Sequence, residues 1–158
     1  MKKFIHDDFL LSNDTARELF HNHAKELPVI DYHCHLPPED IAVNRLYNDI
    51  SEAWLGGDHY KWRAMRANGI AERYCSGDAD PKEKFMKWAD TMPMLIGNPL
   101  YHWSHMELSR YFGIDKLLGP DTAEEIWAEV NEKITSLDAG KMGYSTKEVG
   151  DLVVSCLS

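Results

Sequence analysis

Cysteine is scarce. Cys34, Cys75 and Cys156 are the only three among 158 residues, they lie far apart, and no C-x-x-C pair occurs. An odd, scattered set excludes a cysteine-rich zinc module and suits a reducing compartment. Positive charge is also short: 17 Lys and Arg stand against 26 Asp and Glu, the formal charge is -9, and no Lys/Arg-rich run occurs. That balance argues against nucleic acid or an anionic membrane as partner and favours a small molecule. Long apolar runs are missing too. Lys2 and Lys3 are followed by FIHDDFLL, where His6, Asp7 and Asp8 break any secretory core, and no stretch reaches membrane-spanning length. The cytosol is the expected compartment. G-x-G-x-x-G, Walker A, G-x-S-x-G and H-E-x-x-H motifs are absent, so nucleotide binding and serine or zincin hydrolysis have no support.

What is present reads as one domain of mostly helical character. A chain of this size can bury roughly 68 to 70% of its unfolded surface, and no repeat, low-complexity run or linker marks a boundary. Ser12, Asn13 and Asp14 offer N-caps for TARELFHNHAKEL and Pro28 closes it, which predicts a helix over about residues 14 to 26. Residues 29–36 are too short for a helix before Pro37 and Pro38, and their alternation is that of a strand. A helical excursion over about residues 38 to 140 follows. Its segments are PPEDIAVNRLYND, SEAWL, YKWRAMRAN running to Gly69, KEKFMKWADTM after Asp80 and Pro81, PLYHWSHMELSRYF between Asn98 and Gly113, and AEEIWAEVNEKI. Thr122 and Glu125 match a capping box for the last, with Ile126, Val130 and Ile134 on one face. Trp54, Trp62, Trp88, Trp103 and Trp127 sit in helical periodicity, where core packing is the usual role. The tail's DLVVSCL is a candidate second strand.

The chemistry concentrates in VIDYHCHLPPED. On a strand, His33 and His35 project from one face about 6 to 7 Å apart at their backbones, with Asp31 behind them. Two imidazoles so placed can converge on a divalent ion, zinc first and manganese as the alternative. A surface or hydrogen-bonded pair of histidines is the blander reading, and spacing alone leaves both open. Position adds weight, because the pair ends a strand with an abrupt Pro-Pro exit, where barrel enzymes place their ligands.

Two further groups deserve weighing. In GGDHYKWRAMRANG, Asp58, His59, Tyr60, Lys61, Arg63 and Arg66 follow a double glycine and could hold a carboxylate or a polyhydroxylated ligand. A solvated helix start with Trp62 and Met65 turned inward is the favoured alternative on composition. His102 and His105 share one side of a helix; no carboxylate or further histidine stands beside them at ligand spacing, so packing histidines are expected.

The segments DDFLLSNDTARELFHNHAKELPVIDYHCHLPPEDIA, AWLGGDHYKWRAMRANG and NPLYHWSHMELSRYFGI closely resemble consecutive parts of the uronate (glucuronate) isomerase family of the amidohydrolase superfamily. The resemblance covers nearly all of residues 7 to 135. It implies an α/β fold, a metal-dependent (β/α)8 barrel of which this chain is the N-terminal portion, mostly helical with one or two strands. It also implies that His33 and His35 are metal ligands, that His59 and Tyr60 contact substrate, and that the substrate is a hexuronate isomerised between aldose and ketose forms. Such isomerisation takes a proton from one carbon and returns it to its neighbour through an enediol. Tyr60 or a metal-bound oxygen is the expected proton carrier.

A closed barrel typically needs about 250 residues, so this chain is expected to be part of a longer polypeptide, with an aspartate and carboxylate-binding arginines of the family on later strands. A helical face meant to cover those strands would then lie exposed. Other readings are a noncatalytic helical remnant, with a homo-oligomer an open option, and a hydrolase of the same superfamily. The DHYKWRAM and NPLYHWSHMELSRYFG segments argue against the hydrolase.

Overall fold

The computed structural model describes residues 3–28, 30, 37–43 and 45–136. The described residues fall into two compact units, one before Arg45 and one from Arg45 onward. No described residue lies in a strand. The predicted strands, 29–36 and DLVVSCL, lie outside the described residues apart from Ile30, which is exposed.

In the first unit, Asn13 is extended and its side chain accepts the Ala16 N–H at 2.8 Å, which starts α1 at Asp14–Leu19. The predicted helix to residue 26 does not continue as α-helix. Phe20–Ala24 widens into a π-helical turn, with the Lys25 N–H on Phe20 O at 2.8 Å. No residue of α1 or of the turn is buried, so no core contact holds the chain to the tighter register. Asp8 ties the segment down instead: Oδ1 meets His21 Nε2 at 2.8 Å and Oδ2 lies 3.6 Å from Arg17 Nε. α2 spans only Pro38–Ala42, shorter than PPEDIAVNRLYND suggests.

The second unit is a helical bundle around one element. α3 (Ile50–Leu55), α4 (His59–Ala67), α5 (Glu72–Cys75) and α8 (Ala123–Ser136) all pack on α6 (Pro81–Thr91), which runs into a 3-10 turn at Met92–Leu95. α7 (Pro99–Phe112) packs on α8 and on that turn. Phe85 and Trp88 of α6 are fully buried; Phe85 stacks on Trp54 at 6.2 Å and tilts against Trp127 at 5.3 Å. Polar ties fix the outer helices: Ile50 N–H donates to Asn131 Oδ1 at 2.9 Å and Ser51 Oγ to Pro81 O at 2.5 Å.

Side-chain carboxylates and amides begin the helices. Asp49, Asp58, Asp80 and Asn98 each accept a backbone N–H from the first turn that follows, and Pro81 and Pro99 sit where no helical N–H is needed. Gly113, at φ 64°, ends α7 in the left-handed region. The capping box at Thr122 is not made. Its hydroxyl donates to Leu117 O at 2.7 Å and accepts from the Gly119 N–H at 3.1 Å, while Glu125 pairs with Lys116. The preceding loop captures both side chains.

Of the five tryptophans, Trp54 and Trp88 are core residues, while Trp103 is 49% exposed. The buried stripe of α7 runs through Leu100, Tyr101, Ser104, His105 and Leu108, and Trp103 falls on the opposite side.

Truncating the central ring tests this architecture. Trp88→Ala is expected to lower stability by about 3 to 5 kcal/mol. Trp88→Phe should cost clearly less, because the indole N–H makes no hydrogen bond that would be lost. Urea unfolding of the purified chain, followed by circular dichroism, measures both, and equal losses would refute the ranking.

Candidate functional site

The site grows out of the turn between α3 and α4. Gly56 ends α3 at a place where an added Cβ would stand 2.4 Å from Glu52 O, and Gly57 follows in open space. Asp58 then takes an extended conformation, φ -85° and ψ 91°, as the cap of α4. Its Oδ1 accepts the N–H of Tyr60 at 2.9 Å and of Lys61 at 3.2 Å, and its Oδ2 accepts Lys61 Nζ at 2.6 Å. Burial alone would push this carboxyl up; the Lys61 charge and the donated hydrogen bonds outweigh it and hold the group below its usual range.

That cap presents His59 and Tyr60 on the exposed first turn. Their rings lie 4.5 Å apart at a 31° tilt, Tyr60 is 47% exposed, and the Arg63 guanidinium stands over the Tyr60 ring at 5.7 Å. An imidazole, a phenol and a cation thus share one solvent-facing corner. The inward side of the same helix follows the alternative expected from composition: Met65 is fully buried and Trp62 Nε1 donates to Leu55 O at 2.8 Å. The packing reading holds for the inward face, while His59, Tyr60 and Arg63 face outward.

The expectation that three cations stand ready for a carboxylate narrows to one. Lys61 is held by Asp58. Arg66 grips Glu72 through Nε at 2.6 Å and Nη2 at 2.5 Å, and those bonds, with one from Ser76, bring the Glu72 carboxyl to about 2. Arg63 makes no ion pair among the described residues.

Sequence reasoning missed Glu107. It sits on α7 at the edge of the buried stripe, where burial pushes its carboxyl up and the Lys61 charge opposes that. The residue as a whole is half-buried. An acidic residue beside Leu108 in an otherwise apolar stripe was the only signal.

His33 and His35 lie outside the described residues. Among the described residues no group of three or more His, Cys, Asp or Glu could hold a metal. His105 is a packing histidine, as expected: Nδ1 donates to Tyr101 O at 2.7 Å and Nε2 accepts the Leu118 N–H at 2.9 Å, a tautomer assigned from these two partners. No described helix is long and apolar enough to cross a membrane.

Residues 1–147 match the family model for Glucuronate isomerase. The chain is 58% identical over 142 residues to a uronate isomerase of Shouchella clausii, covering 90% of this chain and 30% of that protein. It is 52% identical over 155 residues to the uronate isomerase of Bacillus licheniformis, covering 98% and 33%. Among solved structures, the uronate isomerase of Thermotoga maritima superposes with a TM-score of 0.79 at 42% identity, over 86% of this chain and 30% of that one. The glucuronate isomerase of Caulobacter crescentus, at 24% identity and a TM-score of 0.76, shares the fold over 93% of this chain and 32% of that one. The chain spans about 30% of the length of the relatives it matches.

His105 predicts an acid-sensitive fold. Desolvation is the largest influence on its imidazole, the Tyr101 bond opposes it, His102 adds to it, and the net shift is downward from 6.5. The unfolded chain therefore binds the proton more readily, so this contribution is whole above about pH 6.5 and lost as the pH falls below it. The Tm should fall between about pH 7 and pH 5, and His105→Gln should flatten that fall. An unchanged slope in the variant would remove His105 from the cause.

Proposed function

The chain belongs to the glucuronate isomerase family, and we propose that it carries the metal-binding and substrate-contacting N-terminal part of a cytosolic hexuronate isomerase. The substrates in this reading are D-glucuronate and D-galacturonate, converted to D-fructuronate and D-tagaturonate. The supporting observation is the pairing of His59 and Tyr60, ring to ring at 4.5 Å on the exposed first turn of α4, in a chain whose relatives are named uronate isomerases.

The remaining parts of the reading follow from donor chemistry. His33 and His35 are neutral-imidazole donors two residues apart, a spacing that suits two ligands of one divalent ion, zinc ahead of manganese. Such an ion, when bound, polarises a substrate oxygen as a Lewis acid. In this reading the two histidines belong to the first strand of a (β/α)8 barrel.

The described residues take their own share of the work. Tyr60 donates its phenolic proton to a sugar oxygen, or carries the proton that moves between C1 and C2. His59, beside it, hydrogen-bonds a neighbouring hydroxyl. Arg63 adds positive charge near an anionic sugar in a protein whose net charge is -9.

The test is a graft. Residues 1–147 replace the matching segment of the Shouchella clausii relative, and a coupled assay reads ketouronate formation beside metal analysis of the same sample. Turnover is expected, with bound metal lost in the His33→Ala/His35→Ala variant. A graft without turnover, or a double variant with unchanged metal content, overturns the reading. The 158-residue chain alone, assayed in parallel with zinc or manganese, separates a self-sufficient site from one that needs the longer polypeptide.

A further inference from the structure

Arginine over an aromatic ring recurs in this chain, and one instance differs from the rest. Arg45 over Tyr47, Arg66 over Trp62 and Arg73 over Tyr74 each also place a guanidinium nitrogen on a glutamate. Those partners are Glu52 at 2.6 Å, Glu72 at 2.5 Å and Glu83 at 3.5 Å. Arg63 stands over the Tyr60 ring at 5.7 Å, is exposed, and has no carboxylate on its nitrogens among the described residues. This is in a chain of formal charge -9, where acids are plentiful. Its neighbour Lys61 is already taken up by Asp58 at 2.6 Å.

The ring contact gives Arg63 a place without using its donors. Residues three apart on a helix are surface neighbours, so α4 itself brings Tyr60 and Arg63 together. Attraction to a ring face engages the positive charge, whereas a carboxylate would occupy the N–H fork. A long arginine side chain otherwise surrenders much rotamer freedom when it grips a ligand. A ring that holds it beforehand reduces that cost.

We propose that Arg63 receives the carboxylate of an acid sugar through its N–H fork, and that the ring of Tyr60, as distinct from its hydroxyl, is the platform that positions the fork. The proposal rests on the reading of His59 and Tyr60 as substrate contacts. In a hexuronate the carboxylate and the carbons that exchange the carbonyl lie at opposite ends of the chain. Arg63 is thus a specificity residue that grips one end, while the Tyr60 hydroxyl works at the other. A neutral hexose leaves the guanidinium without its anion, and the site discriminates against it on that ground.

Kinetics of the graft with D-glucuronate separate the two uses of Tyr60. Arg63→Met is expected to raise KM by about tenfold with kcat within about threefold of the unmodified graft, because a grip on the far end is made equally in ground and transition states. Arg63→Lys keeps the charge without the fork and should fall between the two. Tyr60→Phe keeps the ring and should lower kcat by about tenfold or more with KM little changed. Tyr60→Leu removes the ring, so it should lower kcat as far and also raise KM by about threefold. Added to Arg63→Met, it should raise KM no further. Salt should raise KM in the unmodified graft and much less in Arg63→Met.

An Arg63→Met graft whose KM is unchanged, or whose loss falls on kcat instead, overturns the carboxylate contact. A Tyr60→Leu graft with the KM of Tyr60→Phe, or one that raises KM further in the Arg63→Met background, overturns the platform. A silent Tyr60→Phe overturns the substrate-contact assignment and the proposal with it, and an inactive unmodified graft overturns the isomerase reading at its root.

Discussion

The second unit depends on the burial of α6. Phe85 and Trp88 leave no surface to water, and the aromatic stack that begins at Trp54 of α3 passes through Phe85 to Trp127 of α8. Large rings give much buried area per residue at the loss of only two side-chain torsions, so a small helical bundle with one such centre can hold several short helices that would not persist alone. α3 has six residues and α5 four. Neither length is stable in isolation, and each persists because its apolar side chains, Leu55 and Cys75 among them, close over α6.

Burial by itself does not say where each helix starts, and in this chain short polar side chains do. Asp49, Asp58, Asp80 and Asn98 take up first-turn amides that would otherwise be unsatisfied. At Asp58 the same device acquires a second use. The cap that begins α4 also receives Lys61, so the start of the helix and the placing of His59 and Tyr60 are one event.

Much of this was legible because it is local. Asn98-Pro99 and Gly113 bracket α7 at the residues the sequence suggests, and Met65 turns inward from α4 as its spacing demands. The failures are of two kinds. Thr122 and Trp103 were misread because a local pattern competed with a neighbour that sequence does not reveal: the Leu117 and Gly119 backbone for the hydroxyl, and the stripe from Leu100 to Leu108 for the face of α7. Glu107 was missed because its burial is set by tertiary packing that its neighbours in sequence do not reveal. The family resemblance rested on long segments and was the firmest inference, whereas the geometry of His33 and His35 lies outside the described residues.

The arrangement of α4 bears on why an imidazole and a phenol would be presented from a helix at all. A loop could bring an imidazole and a phenol together, but it would give up conformational freedom each time a ligand bound. Here the inward half of the helix is held by Met65 and by the Trp62 bond to Leu55 O, while the outward half carries His59, Tyr60 and Arg63. The residues that hold and the residues that present alternate along one nine-residue helix, so neither set can move without the other. Rigidity of this kind needs an anchor at the end where His59 and Tyr60 stand, because helix ends fray first. The partly buried Asp58–Lys61 pair lies at that end.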